Sequence, residues 1–413
     1  MGDEFLNLLE PYEAEKILNS LELKKSVEKV GIGECSGRVL AEDIYSTIAL
    51  PPFNRVAMDG YAVQAENTFG ASEDNPKVLK LIEVVGAGDQ PKKKIMEGTC
   101  AEVGTGAPAP PQSDAVIMVE YTEKSDNQVM VFQGVAPGEN ITKKGSDIEK
   151  NHLLLKKDTV LTPDKIGVLS AIGMAYIPVY TQIKVGIIST GNEIIPVGED
   201  LDYGKVYDVN SQTISSAVHS CGCIPVGIKI IADDFKVLKN AISRLMNEVD
   251  IIITSGGTSA GAGDVLRSVI EDMGEVLVHG ISFKPGKPTL IGTLKGKEDK
   301  ILIGLPGYPV AALVVFESLV APFLRRNSGV SVSDESNTIQ LKISRRFHPS
   351  RGRTHHLLVK VRDDIAIPIQ KDSGAITALA DADGYVEIPK STEILETGTL
   401  VHVKLFRRTT GLF

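Results

Sequence analysis

The stretch from Asp250 to Asp264 constrains the fold more than any other part of this chain. Ile251, Ile252 and Ile253 form an apolar, β-branched run, the pattern of a strand buried on both faces of a parallel sheet. Gly256, Gly257, Gly261 and Gly263 follow, interspersed with Thr254, Ser255, Thr258 and Ser259. Glycines let a backbone turn sharply and approach a ligand closely. Asp264 then opens a helical pattern. A strand, a loop of glycines and hydroxyls and a helix N-terminus together make an anion site. In an open α/β sheet, ligands sit at the carboxyl ends of the strands. The alternative is a tight strand-to-helix turn with no ligand.

The flanking sequence carries the same rhythm. Lys184–Ile188, Ile224–Ile231, Thr289–Leu294 and Lys300–Leu305 read as strands, and Val276–Phe283 as another. Helices are expected from Asn210 or Ser211 to His219, from Asp233 or Asp234 to Met246, and from Pro309 to Arg325. Alternation of this length predicts a doubly wound, mostly parallel sheet. Elsewhere the pattern changes. A helix is expected over Pro11–Leu23 and another over Ile166–Tyr176. Between them, Val78–Val85, Cys100–Val103, Ala115–Val119 and Val129–Phe132 are short strands broken by Gly and Pro, as in a small inserted β-domain. After Gly329 strands return, at Thr338–Ile343, His355–Val361, Ile365–Ile369, Gly384–Ile388 and Leu400–Leu405. They predict a C-terminal β-domain, a small barrel.

At 413 residues the chain exceeds one ordinary core. Its net charge of −9 argues against a general nucleic-acid or anionic-membrane binder, though not against a local basic pocket. The cysteines Cys35, Cys100, Cys221 and Cys223 lack Cys-x-x-Cys spacing, against structural zinc. Their scarcity suits a reducing cytoplasm. The N-terminus carries acids and no basic region, so it does not read as a signal peptide. No apolar run reaches the ~20 residues that span a bilayer.

Several polar groups should meet at one edge of the α/β sheet. Thr190 and Glu193 follow one strand, Asp233 and Asp234 a second, and the segment from Ser255 to Asp264 a third. Lys284 and Lys287 follow a fourth, with Pro285-Gly286 fixing the backbone between them. Carboxylates, lysines and an anion loop suit a phosphate ester with a divalent cation. Oxygen ligands favour Mg²⁺. The chain has no nucleophile elbow, Walker A lysine or Gly-x-Gly-x-x-Gly after a strand, which weakens esterase, P-loop and dinucleotide readings.

Pro51-Pro52-Phe53 with Ala57-Met58-Asp59-Gly60-Tyr61-Ala62 resembles a signature of the molybdopterin molybdenumtransferases, the MoeA and gephyrin E-domain family. Six further blocks are similar in the same order: Thr105-Gly106-Ala107-Pro108 with Asp114-Ala115-Val116, Gly145-Ser146-Asp147-Ile148, Ser189-Thr190-Gly191-Asn192-Glu193, the glycine loop from Ser255, Lys284-Pro285-Gly286-Lys287-Pro288 and Gly304-Leu305-Pro306-Gly307. They cover nearly the whole chain, from about residue 10 to 405. The resemblance implies a multidomain α/β plus β fold: a dimerising region (1–52 and 140–180), an inserted β-domain (53–139), a MoaB/Mog-like molybdopterin-binding domain (181–328) and a C-terminal β-barrel (329–413).

The implied reaction inserts molybdate, or tungstate, into adenylylated molybdopterin, with AMP leaving under a divalent cation. The implied enzyme is a cytoplasmic homodimer, in transient contact with the adenylyltransferase and with acceptor apo-enzymes. By position, Glu193, Asp233 (or Asp234) and Asp264 would bind cation or substrate, and Lys284 and Lys287 phosphate or molybdate. Thr190, Ser255, Gly256, Gly257 and Ser259 would contact substrate. Asp59, Thr105 and Asp147 would face the site across the dimer cleft. Arg353, and more loosely Thr377, would join from the C-terminal domain. The chain departs from the family pattern at Arg55-Val56, at Tyr308, where Asn is common, and at His355. Two other functions share the fold: a molybdopterin adenylyltransferase, and a non-catalytic dimeric scaffold for partner peptides.

Overall fold

The computed structural model describes residues 8–256, 263–329 and 337–406, with Gly263 and Asp264 by backbone alone. Gly257 and Ser259 lie outside these residues, as does the side chain of Asp264. The chain forms two compact units. One is Val30–Ser36 with Leu40–Ile177; the other is Met1–Lys29 with Gly37–Val39 and Pro178–Phe413.

In the second unit, α1 (Pro11–Ser20) begins with proline in its first turn, where a missing N–H costs nothing. It stops short of the expected Leu23. In the first unit, six strands form one sheet: β1 (Gly60–Val63), β2 (Lys77–Val85), β3 (Thr99–Val103), β4 (Ala115–Met118), β5 (Thr122–Ser125) and β6 (Gln128–Val131). Their order is β4-β1-β3-β2-β6-β5. Alternate residues feed two small cores, one around Val63, Ile117 and Val131, the other around Val103, Ile95 and Val116. The second helix, α2, covers Pro163–Ala171. The expectation of helix to Tyr176 was wrong: Gly173 follows the helix end, and Tyr176–Tyr180, with Ile177 and Val179 buried, is a strand.

The α/β sheet comprises β7 (Lys184–Thr190), β8 (Ile224–Ile231), β9 (Ile251–Ser255), β10 (Gly274–His279), β11 (Leu290–Leu294) and β12 (Lys300–Leu305), in the order β8-β7-β9-β12-β11-β10. Strands β8, β7, β9 and β12 run parallel, and β11 is antiparallel to both of its neighbours. The isoleucine run shows why the sheet is buried on both sides. Ile251 and Ile253 enter one core with α1, α3 (Asn210–Ser220) and the helix beginning at Pro309. Ile252 enters the other, with α4 (Phe235–Leu245) and α5 (Gly263–Met273). All three are fully buried, each stabilising the fold by roughly 1.5–3 kcal/mol relative to exposure.

The long helix expected from Pro309 is α6 (Pro309–Val315), a π turn (Phe316–Val320) and α7 (Ala321–Ser328). Pro322 has no N–H to continue the regular ladder, which accounts for the local widening. The expected strand Val276–Phe283 is likewise two pieces, β10 and the separate pair Phe283–Lys284.

The C-terminal strands are β13 (Thr338–Ile343), β14 (Thr354–Arg362), β15 (Ile365–Pro368), β16 (Gly384–Ile388) and β17 (Leu400–Leu405), with α8 (Ile376–Asp381) between β15 and β16. They run β14-β15-β13-β17-β16, and β16 pairs back onto β14, closing a five-stranded barrel. Leu341, Leu357, Val359, Val386 and Val403 fill it. Phe283–Lys284 pairs with the start of β14, with Lys284 opposite His355, and so ties the barrel to the sheet. Among the described residues, no helix is long and apolar enough to cross a membrane.

Candidate active site

The parallel strands end level with one another. Ser189 stands opposite Ser255, Ser255 opposite Leu305, and Thr190 opposite Ile231. Every loop leaving them emerges at one edge. The chain passes outward from β7 to β8 and then back to β9, so the crevice falls between β7 and β9, where the strand order reverses. There Gly256 takes φ +91°, and any Cβ would come 2.1 Å from the Thr190 carbonyl oxygen. Only glycine fits. An open cleft of about 1790 Å³ lies along this edge, between the strand ends and the barrel.

The structure brings Thr190, Glu193, Asp233, Ser255, Gly256, Lys284, Lys287 and Arg353 to the walls of this cleft. Sequence left open which of two neighbouring aspartates faces it. The side chain of Asp234 caps α4, accepting from the Val237 N–H at 2.9 Å. Asp233 is the one that lines the cleft. Burial holds its carboxyl above the ordinary value; the Thr190 hydroxyl opposes this, and the Glu193 charge adds to it. Glu193 itself is exposed. Among the described residues no three acidic, histidine or cysteine side chains converge as a metal cage. Glu193 and Asp233 form a pair of oxygen donors on one wall.

The two lysines leave a pinned turn. Gly286 adopts φ +121°, and a Cβ there would meet Val315 Cγ2 at 2.3 Å. The Thr289 hydroxyl donates to the Gly286 carbonyl at 2.8 Å, and the Lys287 carbonyl accepts from the Ile281 and Thr289 N–H groups. Neither Lys284 nor Lys287 is ion-paired among the described residues, and both line the cleft.

Asp59, Thr105 and Asp147 lie in the other compact unit. Asp59 Oδ1 accepts from the Thr105 N–H at 2.6 Å and from the Thr105 hydroxyl at 2.8 Å. These bonds, backbone first, hold its carboxyl below the usual value. Asp147 is exposed. Thr377 does not line the cleft; its hydroxyl accepts from Lys371, which does.

Sequence reasoning missed Asp208 and treated Asn210 only as a helix cap. Helix α3 starts at Asn210 after Val209, and the carboxylate of Asp208, just outside it, accepts from the Ser211 N–H at 3.0 Å and the Ser189 hydroxyl at 2.8 Å. The Asn210 amide donates to Ser255 Oγ and to the Gly307 carbonyl, both at 2.7 Å, lacing three loops together. Among the described residues its buried Oδ1 has no partner. The spacing Asp-x-Asn-Ser ahead of an apolar helical run was the available signal. His355 also lines the cleft. Burial, and secondarily Lys284, push its pKa down to about 4. Its Nδ1 accepts from the Ser350 N–H at 3.0 Å, which leaves the proton of the neutral ring on Nε2.

Three family models match the chain in order. "MoeA N-terminal region (domain I and II)" covers residues 9–173, "Probable molybdopterin binding domain" 186–326, and "MoeA C-terminal region (domain IV)" 340–406. The chain belongs to the MoeA family, and with it to molybdenum cofactor biosynthesis. A relative named for molybdopterin biosynthesis in Methanocaldococcus jannaschii is 36% identical over 402 residues, covering 95% of this chain and 96% of the relative. The molybdopterin molybdenumtransferase of Bacillus subtilis is 32% identical over 397 residues, covering 93% and 91%. A crystal structure of a molybdopterin biosynthesis MoeA protein from Pyrococcus horikoshii superposes with a TM-score of 0.87 at 40% identity, covering 97% of this chain and all of that one.

Proposed function

We propose that this protein transfers molybdate, or tungstate, to adenylylated molybdopterin and releases AMP. The observation that carries the reading is the cleft itself: Glu193 and Asp233, the cationic Lys284 and Lys287, and the strand-end loops of a MoeA-family sheet all line it. Such a substrate is polyanionic, so its handling needs charge neutralisation and positioning rather than a nucleophile.

The residues fit Mg²⁺, which binds through one or two carboxylates plus substrate oxygens rather than an all-protein cage. Burial and the neighbouring Glu193 charge leave Asp233 short of a cationic partner. Glu193 and Asp233 would hold the ion, joined by Asp264. When bound, the ion would offset charge on the pyrophosphate. The two lysines hold the phosphate or molybdate oxygens, assisted by Arg353, and the Asn210 lacing keeps the strand-end loops in register. Substrate contacts extend to Thr190, Ser255, Gly256, Gly257 and Ser259.

The reading also takes the chain as a cytoplasmic homodimer divided at 1–52 with 140–180, 53–139, 181–328 and 329–413. Asp59, Thr105 and Asp147 of a second copy would complete each cleft. Substrate would arrive from an adenylyltransferase, and product pass to acceptor apo-enzymes. The test is AMP release from adenylylated molybdopterin with Mg²⁺ while molybdate and tungstate are titrated separately. Oxyanion-dependent AMP release is expected; none from a folded protein overturns the proposal.

A further inference from the structure

The cleft carries one feature that charge handling does not use. Tyr308 sits directly after Gly307, on the loop that leaves β12 at the site edge, and lines the cleft. Its ring is 66% exposed. An exposed tyrosine at a cleft presents an aromatic face and a polar hydroxyl to whatever enters it.

Its position is fixed from both sides. The preceding carbonyl, of Gly307, accepts from the Asn210 amide at 2.7 Å. A Cβ added at Gly307 would lie 3.6 Å from the Gly256 Cα, so Tyr308 is one residue from contact with the glycine turn. On the far side the ring packs against Gly374 of the barrel domain, where an added Cβ would come 3.4 Å from Cδ1 and 3.6 Å from Cε1. A side chain with two rotatable bonds, one edge held and the rest open to the cleft, is a preorganised flat surface. Lys284 and Lys287 line the same cleft, and their ammonium groups suit the anion that the proposed function places there.

From this juxtaposition we infer that Tyr308 is a stacking platform for a fused nitrogen-heteroaromatic ring attached to the phosphate that the lysines hold. The inference rests on the proposed function, whose substrate carries two such rings, a pterin and an adenine. Stacking on an aromatic side chain tolerates different ring identities because every such ring presents a π face. Tyr308 is therefore a positioning residue that sets which end of the substrate lies against the barrel.

The test is equilibrium binding of three probes to the full-length protein and its variants: AMP, molybdopterin, and ribose 5-phosphate, which lacks a ring. Tyr308→Ala is expected to weaken AMP or molybdopterin by about tenfold, at the lower end of one base–aromatic stack. Ribose 5-phosphate binding should stay unchanged. Tyr308→Phe and Tyr308→Trp should restore affinity. The chain has no tryptophan, so Tyr308→Trp also supplies a single emitter that the stacked ring quenches. Loss for AMP alone places adenine on the ring; loss for molybdopterin alone places the pterin there. Equal weakening of ribose 5-phosphate, no loss in Tyr308→Ala, or no rescue by Tyr308→Phe overturns the inference while leaving the transferase reading intact. Failure of the unaltered protein to bind either ring-bearing probe overturns both.

Discussion

Asp59 and Asp233 are both aspartates at turns, yet their surroundings treat the charge in opposite ways. Asp59, in the inserted sheet's unit, is satisfied from within its own loop: Thr105 donates twice to one carboxylate oxygen, and the ionised form is favoured. Asp233 is partly buried beside Glu193, and the ionised form is disfavoured. The first charge is already hydrogen-bonded within its own loop before any ligand arrives. The second is left wanting a cation. A carboxylate whose own fold opposes its ionisation marks a binding position better than one that the fold already stabilises.

Removing the strained charge should produce the largest effect. Asp233→Asn is expected to lower Mg²⁺-dependent AMP release by about a hundredfold, as loss of a metal-holding or charge-stabilising group does. The same change should leave the cation-free protein at least as stable, because it removes a charge that burial and Glu193 oppose. A variant that lost activity by unfolding would contradict this. A smaller effect follows from pH. A raised carboxyl pKa in the folded state means that the fold holds its proton more tightly, so this group's contribution to stability falls as pH rises from the ordinary aspartate value through the raised one. Above that range Mg²⁺ should raise the melting temperature, by an amount equivalent to about 2.7 kcal/mol at a hundred times its Kd. Asp233→Asn should abolish the shift; an unchanged shift would place the cation elsewhere.

The difference between the two aspartates was not legible in the sequence, whereas the sheet was. Ile251–Ile253 reads as a strand buried on both faces, and the alternating elements around it point to the edge where loops would gather. That placed Glu193, Lys284 and Lys287 in one cleft from spacing alone. Asp233 and Asp234 are adjacent and chemically identical, and only the helix start at Phe235 tells them apart: Asp234 is spent on the Val237 N–H. Asp208 has a local signal in its spacing to Ser211, but its second partner, Ser189, lies on another element and meets it only in three dimensions. The π turn at Phe316–Val320 and the division of the expected strand at Phe283 come from features that hydrophobic period does not encode: a proline inside a long helix, and a two-residue pairing with the barrel.

The smallest expected effect sharpens the comparison from the other side. Asp59 is exposed, so Asp59→Ala should barely alter global melting. Its consequence is local. The Thr105 N–H donates at 2.6 Å to the carboxylate, and removing the acceptor leaves that amide to water. Amide exchange at Thr105 should quicken sharply, while that of the sheet strand β3, held by its own ladder, stays slow. Asp59→Asn keeps an oxygen acceptor without the charge and should give intermediate protection. Protection unchanged in Asp59→Ala would show that the loop holds itself, and that the carboxylate is as free as Asp233 to engage a ligand.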